Sequence, residues 1–509
     1  MELLKERLQI TKTCFRETTI AYSDGDIIVP DVKPDILKII QVDAISFITS
    51  KEISDGFIKL SGRIKYNILY IPDCEGESVK SISSEMPFSH TIDKKHLPAD
   101  SVLDVSSNIE RVEFTLLNSR KLNIKTAVLI SYSVLENKEV SLAKGLDNEN
   151  AETVFETINT EKLTAFSDSI FTIRDRLEIP SGRAPVTDIL KLDINICDKE
   201  VKAITGKAVI KGNILLCALY LDANGEINSV NAEIPFTEIA EIFDLEEDTP
   251  CTIEYRLNDY FFDAANDDAE VRAINFEVSV EAVVSAYKTE EVKIMKDCFC
   301  PGFSADMIYD TVSLEDIVSS GTNQYTIKEI IAPDKNLPPM ASVYNVVTRP
   351  FITKAIPSNE KILIEGRLDA YILYITDNVQ FPVYSFKKEI PLSFSIENEY
   401  AKEGLEILAD ICVAHTTFNL NMANEVELRC NLLVDTKLSK RGTFEIISDC
   451  TLSEIKNNCG IVIYFVQPGD SLWKIAKNYS VSVADILKYN DIPDENSIDI
   501  GKRLVIPLC

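Results

Sequence analysis

The chain has 509 residues, too many for one ordinary hydrophobic core, and length alone sets a prior of roughly three or four domains. Hydrophobic residues at 45% and charged residues at 26% are the proportions of a folded globular chain and exclude disorder as a description of the whole. With 81 Asp+Glu against 52 Lys+Arg the net charge is −29, and no basic stripe offsets it locally, so nucleic acid is excluded as an expected partner.

The chain opens MELLKERLQITKTCFRET, charged and apolar residues mixed, with neither the apolar core nor the small-residue cleavage site of an export signal. No run approaches the roughly 18 apolar residues of a spanning helix. Cys509 is the last residue, not the fourth from the end that prenylation requires. The 12 cysteines are scattered, which reads as reduced thiols in a cytosolic chain.

Three segments then repeat one pattern, a glycine followed eight residues later by a tyrosine: GRIKYNILYIPD from Gly62, GNILLCALYLD from Gly212 and GRLDAYILYITD from Gly366. Other landmarks keep the same step. They are an apolar-proline pair (Val29-Pro30, Ile179-Pro180, Ala332-Pro333), a second proline (Pro34, Pro185, Pro338) and a third (Pro87, Pro235, Pro391). All recur at a spacing near 150, which identifies three copies of one unit, the middle one most divergent.

Each unit reads as mostly β. Ile58, Leu60, Gly62, Ile64, Tyr66, Ile68 and Tyr70 alternate with polar neighbours, the period of a long half-buried strand, and Asp55-Gly56 marks a turn before it. Leu122, Ile124, Thr126, Val128, Ile130, Tyr132 and Val134 form a second such run, matched in the third copy by Val426, Leu428, Cys430, Leu432 and Val434. PDILKII from Pro34 and TDILKL from Thr187 are the only segments that look helical, over about two turns, with Pro34 suited to the first helical position. Repeated alternation over units of this size predicts sandwiches or barrels, here β-sandwich-like repeats. The repeated Gly and Tyr either line three matching sites or hold three matching strands together, and a glycine within a strand favours the second.

Chemistry is sparse. His90 and His96 flank Asp93 in SHTIDKKHLPAD, which reads as an exposed loop before it reads as a metal site, and the third histidine is His415. Cys298 and Cys300 form one C-x-C pair near the boundary of copies two and three, a linker thiol pair in preference to half a zinc site. No G-x-S-x-G and no Gly-rich phosphate loop occurs. The expectation is no catalytic set, no metal site and no cofactor.

After a linker the composition changes. Ile461 to Val466 reads as a strand, and PGD as a turn with Asp470 or Ser471 capping a helix whose stripe is Leu472, Ile475, Ala476 and Tyr479. Ser482 opens a second helix with Asp485 three residues on, its stripe Val483, Ile486 and Leu487, and Arg503 to Pro507 closes as a strand. The predicted order is βααβ. The predicted architecture is mainly β: three β-sandwich-like repeats of about 150 residues (1–150, 151–303 and 304–445), a linker at 446–460, and a small α+β module at 461–509.

The opening Y-x-V-x-x-G-D-[ST]-L-x-x-I-A from Tyr464 to Ala476, the middle Asn490-Asp491-Ile492 and the closing G-x-x-L-x-I-P from Gly501 to Pro507 resemble the LysM domain. That resemblance implies binding of N-acetylglucosamine chains in a groove of Gly469, Asp470, Ser471, Leu472, Asp491, Ile492 and Pro493. Backbone amides there would pair with acetamido groups while Leu472 and Ile492 meet their methyls. Trp473, the only tryptophan, lies about 100° off the apolar stripe. It either stands beside the groove, open to a sugar or a protein partner, or packs on the adjoining domain. DIIVPDVKPDILKI and GRIKYNILYIPD are similar to the SPOCS domain of endospore-forming bacteria. Three such units and one LysM together resemble the SipL family of clostridial spore-coat morphogenetic proteins. The resemblance implies a non-enzymatic scaffold in the mother-cell cytoplasm, at the forespore surface, that binds the coat-basement ATPase SpoIVA through its LysM, and other coat proteins besides. The alternative it leaves is a binder of peptidoglycan or cortex glycan.

Overall fold

The structure is a computed structural model that describes residues 3–54, 56–74, 79–95, 97, 101–265, 270–378, 381–455, 460–492 and 498–508. Among the described residues the first repeat has six strands: β1 (Leu3–Ile28), β2 (Ile36–Ser54), β3 (Phe57–Pro72), β4 (Lys80–Asp93), β5 (Val102–Asn118) and β6 (Lys121–Leu146). They form two antiparallel three-stranded sheets, β2-β3-β4 and β1-β6-β5. The second repeat, β7 (Glu152–Glu178), β8 (Val186–Ile204), β9 (Lys207–Asp222), β10 (Ile227–Glu241), β11 (Cys251–Ala264) and β12 (Ala273–Phe299), has the same two orders. So does the third: β13 (Phe303–Ile331), β14 (Ser342–Ser358), β15 (Lys361–Ile375), β16 (Val383–Glu397), β17 (Glu406–Leu420) and β18 (Val426–Glu454).

The two alternating runs of the sequence are β3 and β6, the central strands of the two sheets. Ile58, Leu60, Ile64, Tyr66 and Ile68 meet Leu122, Ile124, Val128 and Ile130 in one core, as a sandwich requires. Tyr66 reaches across it to the Thr126 hydroxyl at 2.7 Å. Tyr70 and Tyr374 are buried and donate to the carbonyls of Pro34 (3.0 Å) and Pro338 (3.1 Å), fastening the proline loop to the central strand. Tyr220 of the divergent copy is equally buried, but its hydroxyl has no hydrogen-bond partner among the described residues.

The two segments expected to be helical are strands, and bulges explain the misreading. The β2–β3 register shifts between Ile36 and Lys38 and again between Ile39 and Gln41, and β8–β9 shifts at the equivalent places. Each bulge inserts one residue, so core-facing positions fall at Ile36, Ile39 and Val42, and at Val186, Ile189 and Leu192. A spacing of three imitates a helix. His90, expected in a loop, lies in β4 with its Nε2 2.9 Å from the Thr19 hydroxyl, whereas His96 is outside the described residues.

The first and last strands of each repeat outrun their sandwich and continue as a two-stranded ribbon. Leu3–Thr13 pairs with the end of β6, Glu152–Leu163 with the end of β12, and Phe303–Ile317 with the end of β18. A bulge marks each exit, at Thr13/Phe15, Ala286/Tyr287 and Ile317/Ser319, where the ribbon bends away. The three ribbons close on one another in layers of equivalent residues: Val140, Val292 and Phe444, then Leu142, Ile294 and Ile446. Beyond them come Ala143, Met295 and Ile447, then Leu146, Cys298 and Cys450. The result is a six-stranded stalk with pseudo-threefold symmetry. Residues 446–454, assigned to a linker in the sequence, are the end of β18 within this stalk, and 456–459 are outside the described residues. Cys298 and Cys300 are buried at the stalk's tip, not displayed in a linker. Among the described residues no three His, Cys, Asp or Glu side chains are grouped to hold a metal ion.

At the opposite end the sandwiches meet through Leu69, Leu219 and Leu373, with Ile40, Leu190 and Tyr344 around them, again equivalent positions. A polar cluster adjoins this contact. Lys191 Nζ lies 2.7 Å from Asp43 Oδ2 and 3.0 Å from Asp193 Oδ1. Asn345 donates to Asp193 at 2.9 Å and Gln41 to Asp43 at 2.8 Å. Gln41, Lys191 and Asn345 are themselves equivalent residues, so one position of the repeat supplies all three donors.

Candidate functional site

The C-terminal module has the predicted order: β19 (Ile461–Phe465), α1 (Leu472–Tyr479), α2 (Val483–Tyr489) and β20 (Arg503–Pro507). Ser471 is the cap of α1, its hydroxyl accepting from Lys474 N at 3.2 Å. Asp470 has a different task. Its Oδ2 accepts from the Tyr464 hydroxyl and from Gln467 N, both at 2.7 Å, and these two bonds hold its pKa below the ordinary carboxylate value. Gly469 takes φ +87°, which the tight turn demands and which a side chain would strain. Ser482 caps α2 by accepting from Asp485 N and returning its hydroxyl hydrogen to the Asp485 carboxylate. Asn490 ties the end of α2 to β20 through Ile486 O, Val505 O and Val505 N.

Both groove loops spring from one end of the β19–β20 pair. Val466 pairs with Gly501 and Lys502, and Lys502 Nζ donates to Asp491 O at 2.8 Å. Gly469, Asp470 and Ser471 therefore lie on one loop, Asp491 and Ile492 on the other, and Pro493 is outside the described residues. Leu472 departs from its expected role. At 2% exposure it is a core residue of the module, with no side-chain surface left for an acetyl methyl. Ile492 is half-buried against the same core.

Trp473 faces the stalk. Its Nε1 donates to Asp297 Oδ2 at 2.8 Å, and its ring meets Phe299 edge to face with centroids 4.8 Å apart. Lys477 Nζ takes the other Asp297 oxygen at 2.5 Å. Val483 N donates to Glu152 at 2.9 Å, and Gly302 N to Ser480 O at 3.1 Å. Burial and the nearby Asp485 raise the Glu152 pKa despite that amide bond. The module thus sits on the tip of the stalk through α1 and the α1–α2 turn, which leaves the Gln467–Gly469 loop exposed. Asp297 holds two donors of the module at once, besides the amide of Cys298, and a hydrogen bond to a charged group contributes about 1.5–3 kcal/mol. In Asp297→Ala the module is expected to lift off the stalk more often. Limited proteolysis near residue 455 should accelerate about tenfold, the equivalent of about 1.4 kcal/mol.

One surface escaped the sequence reading. Ile461, Ile463 and Phe465 point outward from β19 with exposures of 70%, 56% and 56%. They stand opposite Pro507, Val505 and Arg503 of β20 on the same face. The run IVIYF is apolar throughout, so it carries no alternation to reveal that one side stays in solvent. Scattered exposed apolar residues are ordinary, but three in a row on one strand face make a contiguous apolar patch.

A family model described as the LysM domain matches residues 464–507. One described as SipL, SPOCS domain matches residues 35–117, 185–265 and 339–421. The three SPOCS matches span β2–β5, β8–β11 and β14–β17, so the six strands that build the stalk lie largely outside them. No curated protein and no solved structure matches the chain.

Proposed function

The chain carries three SPOCS domains of the SipL family and a C-terminal LysM domain, and from that premise we propose a non-enzymatic scaffold of spore-coat assembly. It works in the mother-cell cytoplasm at the forespore surface and attaches the coat there by binding the coat-basement ATPase SpoIVA through the LysM. The observation that supports a protein partner is the outer face of β19, where Ile461, Ile463 and Phe465 offer a flat apolar row and not a cleft. Other coat proteins would bind elsewhere on the repeats, and several weak contacts to a polymer raise avidity by roughly 10²–10⁴ without any new interaction. Among the described residues no helix is long and apolar enough to cross a membrane.

The test is recovery of SpoIVA on the full-length chain from sporulating cells. Ile463→Arg and Phe465→Arg replace exposed side chains, so the fold should be unchanged while recovery falls about tenfold, the loss typical of a moderate interface residue. Undiminished recovery would remove this face from the contact. The second reading, N-acetylglucosamine binding, is supported by the exposed Gly469 turn, which the stalk does not cover. Saturable binding of a chitin oligomer that survives Ile463→Arg but not Gly469→Val would favour that reading.

A further inference from the structure

At the base of the stalk the apolar layers stop, and a cavity of about 200 Å³ opens where the three ribbons leave their sandwiches. All three repeats contribute to its wall. Lys12 and Arg16 come from β1, and Lys437 and Arg441 from β18. Among the described residues two carboxylates, Glu161 and Glu315, line it, so four cations face two anions in a chain whose net charge is −29. The buried Thr160 and the phenol of Tyr287 add hydroxyls.

The pairing of these charges is incomplete. Glu161 is taken by Lys437 at 2.5 Å, and Arg441 reaches Glu406 at 3.8 Å. Among the described residues neither Lys12 nor Arg16 has a carboxylate within ion-pair distance. Lys12 stands opposite Glu136 in the β1–β6 ladder, yet the Glu136 carboxylate accepts from the Cys14 thiol at 3.6 Å instead. Arg16 and Tyr287 both line the cavity, the first from β1 and the second from β12. Lys12 and Arg16 are both exposed, so a ligand can reach them from solvent.

We propose that this cavity binds a small oxyanion with two or more negative charges, held between Lys12 and Arg16 of the first repeat and Lys437 and Arg441 of the third. A guanidinium donates two parallel hydrogen bonds to phosphate or carboxylate oxygens, and in a partly enclosed site its charge is less screened than at an open surface. The volume equals about seven waters at ~30 Å³ each, room for phosphate or a small polycarboxylate and too little for a glycan chain. Bound there, the anion bridges two repeats at the point where the stalk begins.

The experiment is calorimetry and thermal unfolding of the full chain in phosphate and in citrate, against chloride at equal ionic strength. Saturable binding is expected, with an unfolding midpoint that climbs with ligand concentration. The affinity should fall at least tenfold in Lys12→Ala/Arg16→Ala, whose midpoint in chloride matches that of the unaltered chain, and should rise in Glu315→Gln, which removes an opposing charge. If both anions behave as chloride does, or if Lys12→Ala/Arg16→Ala binds as tightly as the unaltered chain, the site does not exist. Preference for phosphate over citrate, or the reverse, identifies which oxyanion class the cavity takes.

Discussion

Lys191→Met should destabilise the whole chain by about 3–5 kcal/mol, read as a fall in the urea midpoint at neutral pH. The ammonium is buried, within 3.0 Å of Asp193 and 2.7 Å of Asp43, two carboxylates from different repeats. Removing it leaves two negative charges facing each other across a contact that joins the three sandwiches, with Gln41 and Asn345 the remaining side-chain donors to them among the described residues. The loss comes from uncompensated charge and not from any great net strength of the pair, because the desolvation of buried ions offsets most of their attraction. Lys191→Met combined with Asp43→Asn and Asp193→Asn should therefore regain most of the stability. If the triple variant stays as weak as Lys191→Met, lost packing is responsible instead. Burial pushes against the charged form of Lys191, but Asp193 and Asp43 outweigh it and raise the pKa above the ordinary lysine value. A group with a raised folded pKa contributes fully below its unfolded value, so this contribution is present at neutral pH and is lost only as strongly alkaline pH rises through the folded value.

The sequence revealed the parts of the fold in which one face of a strand is wholly buried. β3 and β6 have neighbours on both edges, and every second residue from Ile58 to Tyr70 and from Leu122 to Val134 is buried, though Leu69 and Ala127 on the other face are buried too. β2 was hidden because two bulges stretch its inward spacing from two to three. The stalk was hidden for another reason. Each ribbon gives the axis only a few residues, such as Val140 and Leu142, while its outer face is charged, and a stretch like LSKRGTFEIISDCTLSE has the composition of a linker. The apolar layers become evident only when three ribbons are set side by side. In the LysM the turn, the Ser471 cap and the helices follow from local spacing. The seat of Trp473 does not. Its partner Asp297 lies 176 residues earlier, one acid among 81.

The repeated glycine yields the second large effect, and bulges explain it too. Gly62, Gly212 and Gly366 lie in the central strands β3, β9 and β15, each beside a register shift in the neighbouring strand: Ile48/Ser50, Cys197/Glu200 and Ile352/Lys354. The shift brings a backbone carbonyl over the glycine, that of Phe47, Cys197 or Phe351. A methyl group at Gly366 would fall well inside contact distance of the Phe351 oxygen, and one at Gly62 would strike both the Phe47 oxygen and the Phe88 ring. Backbone cannot rotate aside, so Gly366→Ala and Gly62→Ala should each cost about 3 kcal/mol, the upper end of ordinary overpacking. Gly212→Ala meets the Phe236 ring at 2.7 Å and the Cys197 oxygen at 3.1 Å, where the side chain can yield, and should cost about 1 kcal/mol. Gly321 lies in strand β13 with nothing within 4 Å, so Gly321→Ala should stabilise by about 0.5–1 kcal/mol through strand preference alone. Urea midpoints in the order Gly321→Ala, unaltered, Gly212→Ala, then Gly62→Ala and Gly366→Ala would tie the glycine to the bulge it accommodates. Equal midpoints for all four variants would mean that close approach does not select it, and would return the repeated Gly and Tyr to the reading in which they line three matching sites.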